Sequence, residues 1–322
     1  MKILAPLKNS AEVAPLLRAG AEEFFCGLTP PDWEKLYGQA WANRRAPLSA
    51  GIPDVADFEK AVALACGRPI YVALNAPYYP PGGVDLLAEF GSLLLEKGAS
   101  ALIVADLDLM LALAGDGAAS KIHVSSLATC NNSGSATFFR DLGVSRIILP
   151  RHLTLGEIEE ITVPGLEFEA FLLNDGCVFE EGLCATTHAV GTFCLGDGEG
   201  TEGMNPEILE RYAFWKWTLN HCGCQTSQGY PVGPCGLCAL PHLLHIGIAS
   251  FKVVGREASL PRKQKSVELA AQALRVANEG GGPEEIRRAV IDLRGAAPMC
   301  EGAHLCYYPD VWQRPMQKEA AC

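Results

Sequence analysis

The residues of this sequence with the clearest chemistry are its cysteines, of which there are 13 among 322 residues. Six of them form two groups, one spaced C-x6-C and one combining C-x-C with C-x2-C: Cys177, Cys184, Cys222, Cys224, Cys235 and Cys238. Thiolates at short spacing bind tetrahedral zinc or an iron–sulfur cluster, and the spacing alone does not separate the two. One zinc alternative joins the C-x-C pair to the C-x2-C pair as a compact four-thiolate site.

The start of the sequence bears on the redox state of these cysteines. The segment MKILAPLKNS is a short apolar strand broken by Pro6, without the apolar core and cleavage site of an export signal. No apolar run approaches the ~18 residues that a membrane span needs. We therefore expect a cytoplasmic protein, in which clustered cysteines more often bind metal or do redox chemistry than form disulfides.

Composition excludes one further class of protein and argues against a second. The chain is 49% apolar and 20% charged, which excludes intrinsic disorder. Its net charge of −11 comes without a cluster of basic residues. Because nucleic-acid binding requires a clustered basic surface, we expect no nucleic-acid partner.

A repeating pattern of secondary structure precedes most of these cysteines and must position them. From residue 2 to about 173, a short apolar run, a turn and an amphipathic stretch recur in that order. Eight apolar runs occur there: Ile3–Leu4, Glu23–Cys26, Pro47–Gly51, Ile70–Asn75, Ala101–Ala105, Ile122–Ser125, Arg146–Leu149 and Leu166–Leu173. Apolar strands alternating with helices indicate parallel pairing with both sheet faces covered. The pattern predicts a (β/α)8 TIM-barrel-like fold, with a doubly wound open sheet as the alternative.

The repeat suggests how the chain is organised. We expect residues 1–175 to hold the eight βα units of the barrel. Residues 176–322 should hold a Cys-rich metal-binding insertion, a closing strand at Phe251–Val254 and a helical C-terminal segment. No linker separates the two parts, so we expect a single domain.

Polar residues near the predicted strand ends are the candidates for binding a substrate, because the active site of such a barrel lies at the carboxyl ends of its strands. We select five of them: Asn75, Ser125, Asn131, Arg151 and Lys252. Hydrogen-bonding groups beside two positive charges suit a carboxylate or phenolate, which Arg can bind bidentately. No catalytic residue is identified by sequence alone.

Several segments resemble the family known as U32 peptidases. They are Leu4-Ala5-Pro6, Val72-Ala73-Leu74-Asn75, Ile122-His123-Val124-Ser125-Ser126, Leu166-Glu167-Phe168-Glu169-Ala170-Phe171 and Phe251-Lys252-Val253-Val254-Gly255-Arg256-Glu257. The last is similar to the family's Lys-Ile-Glu-Gly-Arg motif. The resemblance extends through most of the chain.

The resemblance implies a cofactor and a reaction. Branches of this family hold a 4Fe–4S cluster through four cysteines and take part in oxygen-independent hydroxylation of a ubiquinone precursor ring or of a base in tRNA or ribosomal RNA. By this resemblance the cluster ligands are Cys177, Cys184, Cys224 and Cys235. Cys222 and Cys238 are alternates, and Cys194 is a weaker one.

The sequence also departs from the family pattern. Val254 replaces the motif's glutamate, and Leu173 replaces the histidine that usually precedes the first ligand. We therefore expect a different substrate, a small molecule with an aromatic ring as one option, and a homologous or redox protein as partner. Two alternatives are a non-catalytic cluster-bearing subunit and a peptidase. The chain has neither an HExxH helix nor a Gly-x-Ser-x-Gly motif, which disfavours the peptidase.

Overall fold

A computed structural model describes residues 2–38, 40–43, 50–174, 225–295, 300 and 305–314. Eight parallel strands form a closed barrel in which each strand pairs with the next and β8 pairs with β1. The strands are β1 (Lys2–Pro6), β2 (Glu23–Gly27), β3 (Ile70–Leu74), β4 (Ala101–Val104), β5 (Ile122–Val124), β6 (Arg146–Ile148), β7 (Glu167–Leu173) and β8 (Ser250–Val253). The predicted (β/α)8 fold is confirmed.

Helices follow the strands within the described ranges. They are α1 (Val13–Ala19), α2 (Trp33–Tyr37), α3 (Val55–Leu64), α4 (Gly83–Glu96), α5 (Leu107–Gly115), α6 (Ser133–Leu142), α7 (Leu155–Ile161), α8 (Leu240–Ile246), α9 (Leu260–Asn278) and α10 (Pro283–Arg294). None of these helices is both long enough and apolar enough to span a bilayer.

One expected strand is wrong. The run Pro47–Gly51 does not enter the sheet, because β2 pairs directly with β3 from Phe24–Ile70 to Gly27–Ala73. Residues 44–49 lie outside the described part, and Ala50 is helical. The eighth strand is instead Ser250–Val253, which inserts between β7 and β1. The run at 47–51 contains Pro, Ser, Ala and Gly and no β-branched or aromatic residue, so its composition did not favour a strand, and periodicity cannot tell a strand from another buried segment of that length.

Local signals in the sequence explain where the helices begin and end. The Asn132 side chain accepts a hydrogen bond from Ser135 N (2.9 Å) at the start of α6. Thr154 and Glu157 exchange side-chain-to-backbone bonds as a capping box at α7. Gly143 ends α6 in the left-handed region at φ 91°, which a residue without Cβ adopts at little cost.

The inside of the barrel holds charges as well as apolar side chains. Arg146, at the start of β6, binds Glu23 of β2 through both terminal nitrogens, at 2.9 and 3.1 Å. The same guanidinium reaches Glu169 of β7 at 3.4 Å. Glu23 also accepts hydrogen bonds from Tyr71 and Ser250. We call these five side chains, with Lys252, the interior network.

Two titration shifts follow from this network. Burial by itself would raise the pKa of Glu23, but the hydrogen bonds and charge of Arg146 hold that pKa at about 2, below its ordinary value of 4.5. Burial lowers the pKa of His123, which lies 4.4 Å from the Tyr71 ring, and the Arg146 charge lowers it further. The barrel floor is therefore a fixed arrangement of carboxyl groups around one arginine, with Glu23 held ionised by that arginine.

Candidate functional site at the carboxyl end of the barrel

A cavity of about 60 Å³ opens at the carboxyl ends of the strands. Its lining comes from strands or strand ends around the barrel: Phe25, Ala73, Asn75, Ile103, Ser125, Ser126, Leu127, Ile148, Phe171, Lys252, Val254, Arg256 and Glu257. Aromatic and aliphatic walls with a few converging polar groups are typical of a small-molecule site. This end of the barrel is also where enzymes of this architecture place their chemistry.

Two of the predicted substrate-binding residues meet in this cavity. Asn75, directly after β3, donates from Nδ2 to Ser125 Oγ at 3.2 Å. Ser125 lies two strands away, at the end of β5, and its Oγ also accepts from Leu127 N at 3.3 Å. The hydrogen bond from Leu127 N therefore fixes the Ser125 hydroxyl, and this hydroxyl positions the side-chain amide of Asn75. Together they present hydrogen-bonding groups on one wall.

Lys252 lies deeper in the same cavity, on β8. Its Nζ is 2.7 Å from Glu169 Oε1 and 4.2 Å from the centre of the Phe25 ring. Lys252, predicted from the sequence to bind substrate, lines the cavity, and its charge already has a carboxylate partner. Since Glu169 also contacts Arg146, the lysine is tied to the interior network below it.

Arg256 forms the rim on the β8 side. The side chain is buried, and its Nη2 donates to Asn43 Oδ1 at 3.1 Å. A Cβ on Gly27 would lie 2.0 Å from Arg256 Nη1, so the guanidinium fits against β2 only because residue 27 has no side chain. The absence of a side chain at Gly27 therefore lets the Arg256 guanidinium pack against β2 at the mouth of the cavity.

The other two predicted substrate residues lie elsewhere. Asn131 is exposed, in the segment just before α6, and does not line the cavity. Arg151 is buried after β6, with its guanidinium carbon 5.7 Å from the centre of the Phe171 ring. Because Phe171 lines the cavity, Arg151 stands behind one wall rather than in it.

Sequence reasoning missed much of the lining. Phe25 and Phe171 occupy inward positions of apolar strands, where the sequence pattern indicates only core. Arg256 follows β8 within the Gly255-Arg256-Glu257 segment and was recognised as part of a motif without a role. Its position after a strand end was the available signal.

The predicted metal ligands are only partly described. Cys177, Cys184, Cys194, Cys222 and Cys224 lie outside the described residues. Cys235 is buried beside β7, where it bridges to Leu173, and its Sγ accepts from Leu237 N at 3.5 Å. Within the described ranges, no three Cys, His, Asp or Glu side chains are already gathered around one point as metal ligands.

Other cysteines lie close to Cys235. Cys238, Cys300 and Cys306 line a second cavity with it. Burial raises the pKa of Cys306 to about 12, the neighbouring Cys235 and Cys300 thiols raise it as well, and the charge of Arg294 opposes them. Neither Cys300 nor Cys306 has a role predicted from the sequence.

Comparison with known proteins identifies the family. The sequence model of peptidase family U32 matches residues 8–297. The chain belongs to this family. The resemblance found in the sequence is therefore confirmed.

Curated U32 relatives carry names that refer to RNA modification. The tRNA hydroxylation protein P2 of Bacillus subtilis (strain 168) is 28% identical over 182 residues, covering 56% of this chain and 54% of that protein. The tRNA hydroxylation protein P of Escherichia coli (strain K12) is 33% identical over 126 residues, covering 38% and 27%. The chain therefore spans between about a quarter and about half the length of these two relatives.

Solved structures show more distant likeness. A structure described as a U32 peptidase aligns with a TM-score of 0.43 and 15% identity, covering 64% of this chain and 84% of that one. A dihydrodipicolinate synthase aligns with a TM-score of 0.46 and 10% identity, covering 93% and 84%. The fold assignment here rests on the strand order itself.

Proposed function

We propose that this U32 protein takes part in oxygen-independent hydroxylation, or a related group transfer, of a small planar molecule bound at the barrel mouth. The observation that carries the proposal is the cavity itself. Phe25 and Phe171 offer ring faces, while Asn75, Ser125 and Arg256 offer polar contacts. The names of the curated relatives support a hydroxylation role.

The cavity suits a ring with an oxygen-bearing substituent. Aromatic side chains stack on planar ligands, and the Asn75–Ser125 pair can exchange hydrogen bonds with a hydroxyl or carbonyl group. Arg256 at the rim can bind an anionic group bidentately. The Lys252 charge is shared with Glu169, so its role is to orient rather than to supply a free cation.

We further propose a 4Fe–4S cluster as cofactor, with zinc as the alternative metal. The ligands are Cys177, Cys184 and Cys224, with a fourth thiolate from Cys235 by family alignment or from Cys222 by spacing. What supports this placement is that β7 lines the cavity through Phe171 and ends four residues before Cys177 in sequence. Hydroxylation without oxygen removes electrons from the substrate, and a bound cluster would carry them to a redox partner while the residues of the cavity hold and orient the molecule that reacts.

Purification without oxygen tests the cluster. The chain should carry about four iron and four sulfide per molecule and absorb visible light. Cys177→Ser with Cys184→Ser should lose that iron, because each cluster iron needs a thiolate ligand. The control is Cys66→Ser, an exposed cysteine remote from the site, which should keep it. Zinc without iron in the unsubstituted protein would refute the proposal.

A second candidate function is hydroxylation of a base in tRNA, which the names of the relatives favour. The net charge of −11 opposes it, since RNA affinity depends on neutralised phosphates. Two further readings have less support: a non-catalytic subunit that works only with a partner protein, and a peptidase. An isolated chain that turns over substrate would exclude the first of these.

Filter binding with bulk tRNA separates small-molecule from RNA chemistry. We expect no retention even at about 50 mM salt, where counterion release makes binding strongest. A basic protein of similar size serves as the positive control. Retention of tRNA with a submicromolar dissociation constant, lost by about 200 mM salt, would favour RNA over a small molecule as the substrate.

A further inference from the structure

The loop that leads into Cys235 is folded back on itself. Residues 225–234 separate Cys235 from Cys224, the proposed ligand before it. Gln225, the first residue of this loop, pairs with Pro231 as an antiparallel bridge. The loop is therefore a short hairpin followed by a few residues that lead to Cys235, and we call residues 225–234 the ligand loop.

One buried arginine holds the second half of the ligand loop. Arg294 is the last residue of α10 and is only 2% exposed. Its Nε donates to Pro231 O at 3.2 Å, and its Nη2 donates to Val232 O at 3.3 Å and to Gly233 O at 2.6 Å. A single guanidinium, whose donors point in fixed directions, therefore binds three consecutive carbonyls just before Cys235.

Cys235 itself is held at its backbone and at its sulfur. Its N–H donates to Leu305 O at 2.8 Å, and its carbonyl accepts from Tyr307 N at 3.0 Å. Its Sγ accepts from Leu237 N at 3.5 Å. Hydrogen bonds to cysteine sulfur are one of the means by which proteins tune iron–sulfur clusters. The surroundings of this sulfur therefore suit a thiolate ligand.

Arg294 also brings a buried positive charge to this place. No ion pair between described residues includes Arg294, which lines the second cavity together with Cys235. A buried charge is costly without a counter-charge, and carbonyl dipoles offset only part of that cost. A cluster held by four thiolates has a net negative charge and would supply the rest.

We propose that Arg294 is a positioning residue for the cluster. It holds the ligand loop so that Cys235 is in place as the fourth ligand, and its charge offsets the negative charge of the bound cluster. The inference rests on the proposed function, since it needs a cluster with Cys235 among its ligands. Two variants separate the two roles: Arg294→Lys keeps the charge but lacks the fork of donors, and Arg294→Met removes both.

The reduction potential of the cluster, measured in anaerobically purified protein, tests the role of the charge. Arg294→Met should shift the potential to more negative values, because the cluster gains negative charge on reduction and the cation that stabilises it is gone. Arg294→Lys should restore most of the shift. Arg288→Met, which changes an exposed arginine of the same helix, is the control and should leave the potential unchanged. Equal potentials in Arg294→Met and the control would overturn this role.

Hydrogen exchange of iron-free protein tests the holding of the loop. The amides of Tyr230 and Cys235 are hydrogen-bonded in the structure. They should exchange at least about tenfold faster in both Arg294 variants than in Arg288→Met, while the amides of the barrel strands keep their rates. Unchanged rates at Tyr230 and Cys235 would show that Arg294 does not hold the loop.

The unsubstituted protein gives a test that does not depend on how the variants fold. Its ligand loop should stay protected from exchange after a chelator removes the iron, because Arg294 and not the cluster orders the loop. Exchange at the rate of a free peptide once iron is gone would contradict the proposal. Absence of iron from every anaerobic sample would instead refute the proposed cluster, and the exchange rates would still decide whether Arg294 holds the loop.

Discussion

Arg146→Ala should lower the free energy of unfolding by about 3–5 kcal/mol. The substitution leaves the buried Glu23 with the half-exposed Lys2 as its remaining cation and removes one of the two cations of Glu169, and a buried charge that loses its buried partner is strongly destabilising. Urea unfolding followed by circular dichroism measures the loss. A matched control exists in Arg140, whose ion pair with Asp141 is solvent-exposed.

Arg140→Ala should change stability by less than about 1 kcal/mol, as exposed ion pairs do. Equal losses in the two variants would show that the interior network contributes no more than a surface pair. The network also reaches the functional site, because Glu169 contacts Arg146 on one side and Lys252 on the other. Loss of Arg146 should therefore disturb the cavity wall as well as the barrel floor.

Acid should destabilise the protein through Glu23. The pKa of this carboxyl is about 2 in the folded chain and 4.5 ordinarily, so the unfolded chain binds the proton more readily. The stabilisation is complete above pH 4.5 and is lost as pH falls toward 2, which amounts to about 3 kcal/mol. Urea unfolding at about pH 6, 4.5 and 3 measures how the free energy of unfolding changes with pH.

The Glu23→Gln variant should have a lower free energy of unfolding at neutral pH than the unsubstituted protein. Its free energy of unfolding should also fall less as the pH is lowered, because the amide takes up no proton. Glu59→Gln, which alters an exposed pair with Lys97, is the control and should keep the slope of the unsubstituted protein. An unchanged slope in Glu23→Gln would assign the acid sensitivity to other carboxylates.

Much of the fold was predictable because local patterns agree with the tertiary structure. Seven of the eight expected apolar runs became strands, and Gly20 and Gly143 end helices as their positions indicate. The failure at 47–51 concerns the number of strands, since the closing strand expected at Phe251–Val254 is itself the eighth strand, Ser250–Val253, which pairs with β7 and β1. Strand register is decided by neighbours that the local sequence does not reveal.

The site was less predictable than the fold. Asn75, Ser125 and Lys252 were identified because polar residues at strand ends converge at one end of a barrel. The pairing of Lys252 with Glu169 was hidden, because Glu169 lies within an otherwise apolar run. The meeting of Cys235 with Cys306 was equally hidden, since it depends on a bridge between distant segments.

The position of β8 in the sequence determines when the barrel can close during synthesis. Lys2 of β1 pairs with Ser250, so barrel closure brings together residues 248 apart, a contact that forms late because of its loop entropy. Until β8 leaves the ribosome, β1 and β7 each present an open edge that other chains can pair with. Cys177, Cys184, Cys222, Cys224, Cys235 and Cys238 all precede β8 and are synthesised while the sheet is still open. These thiols are therefore synthesised before closure of the barrel removes the open edges.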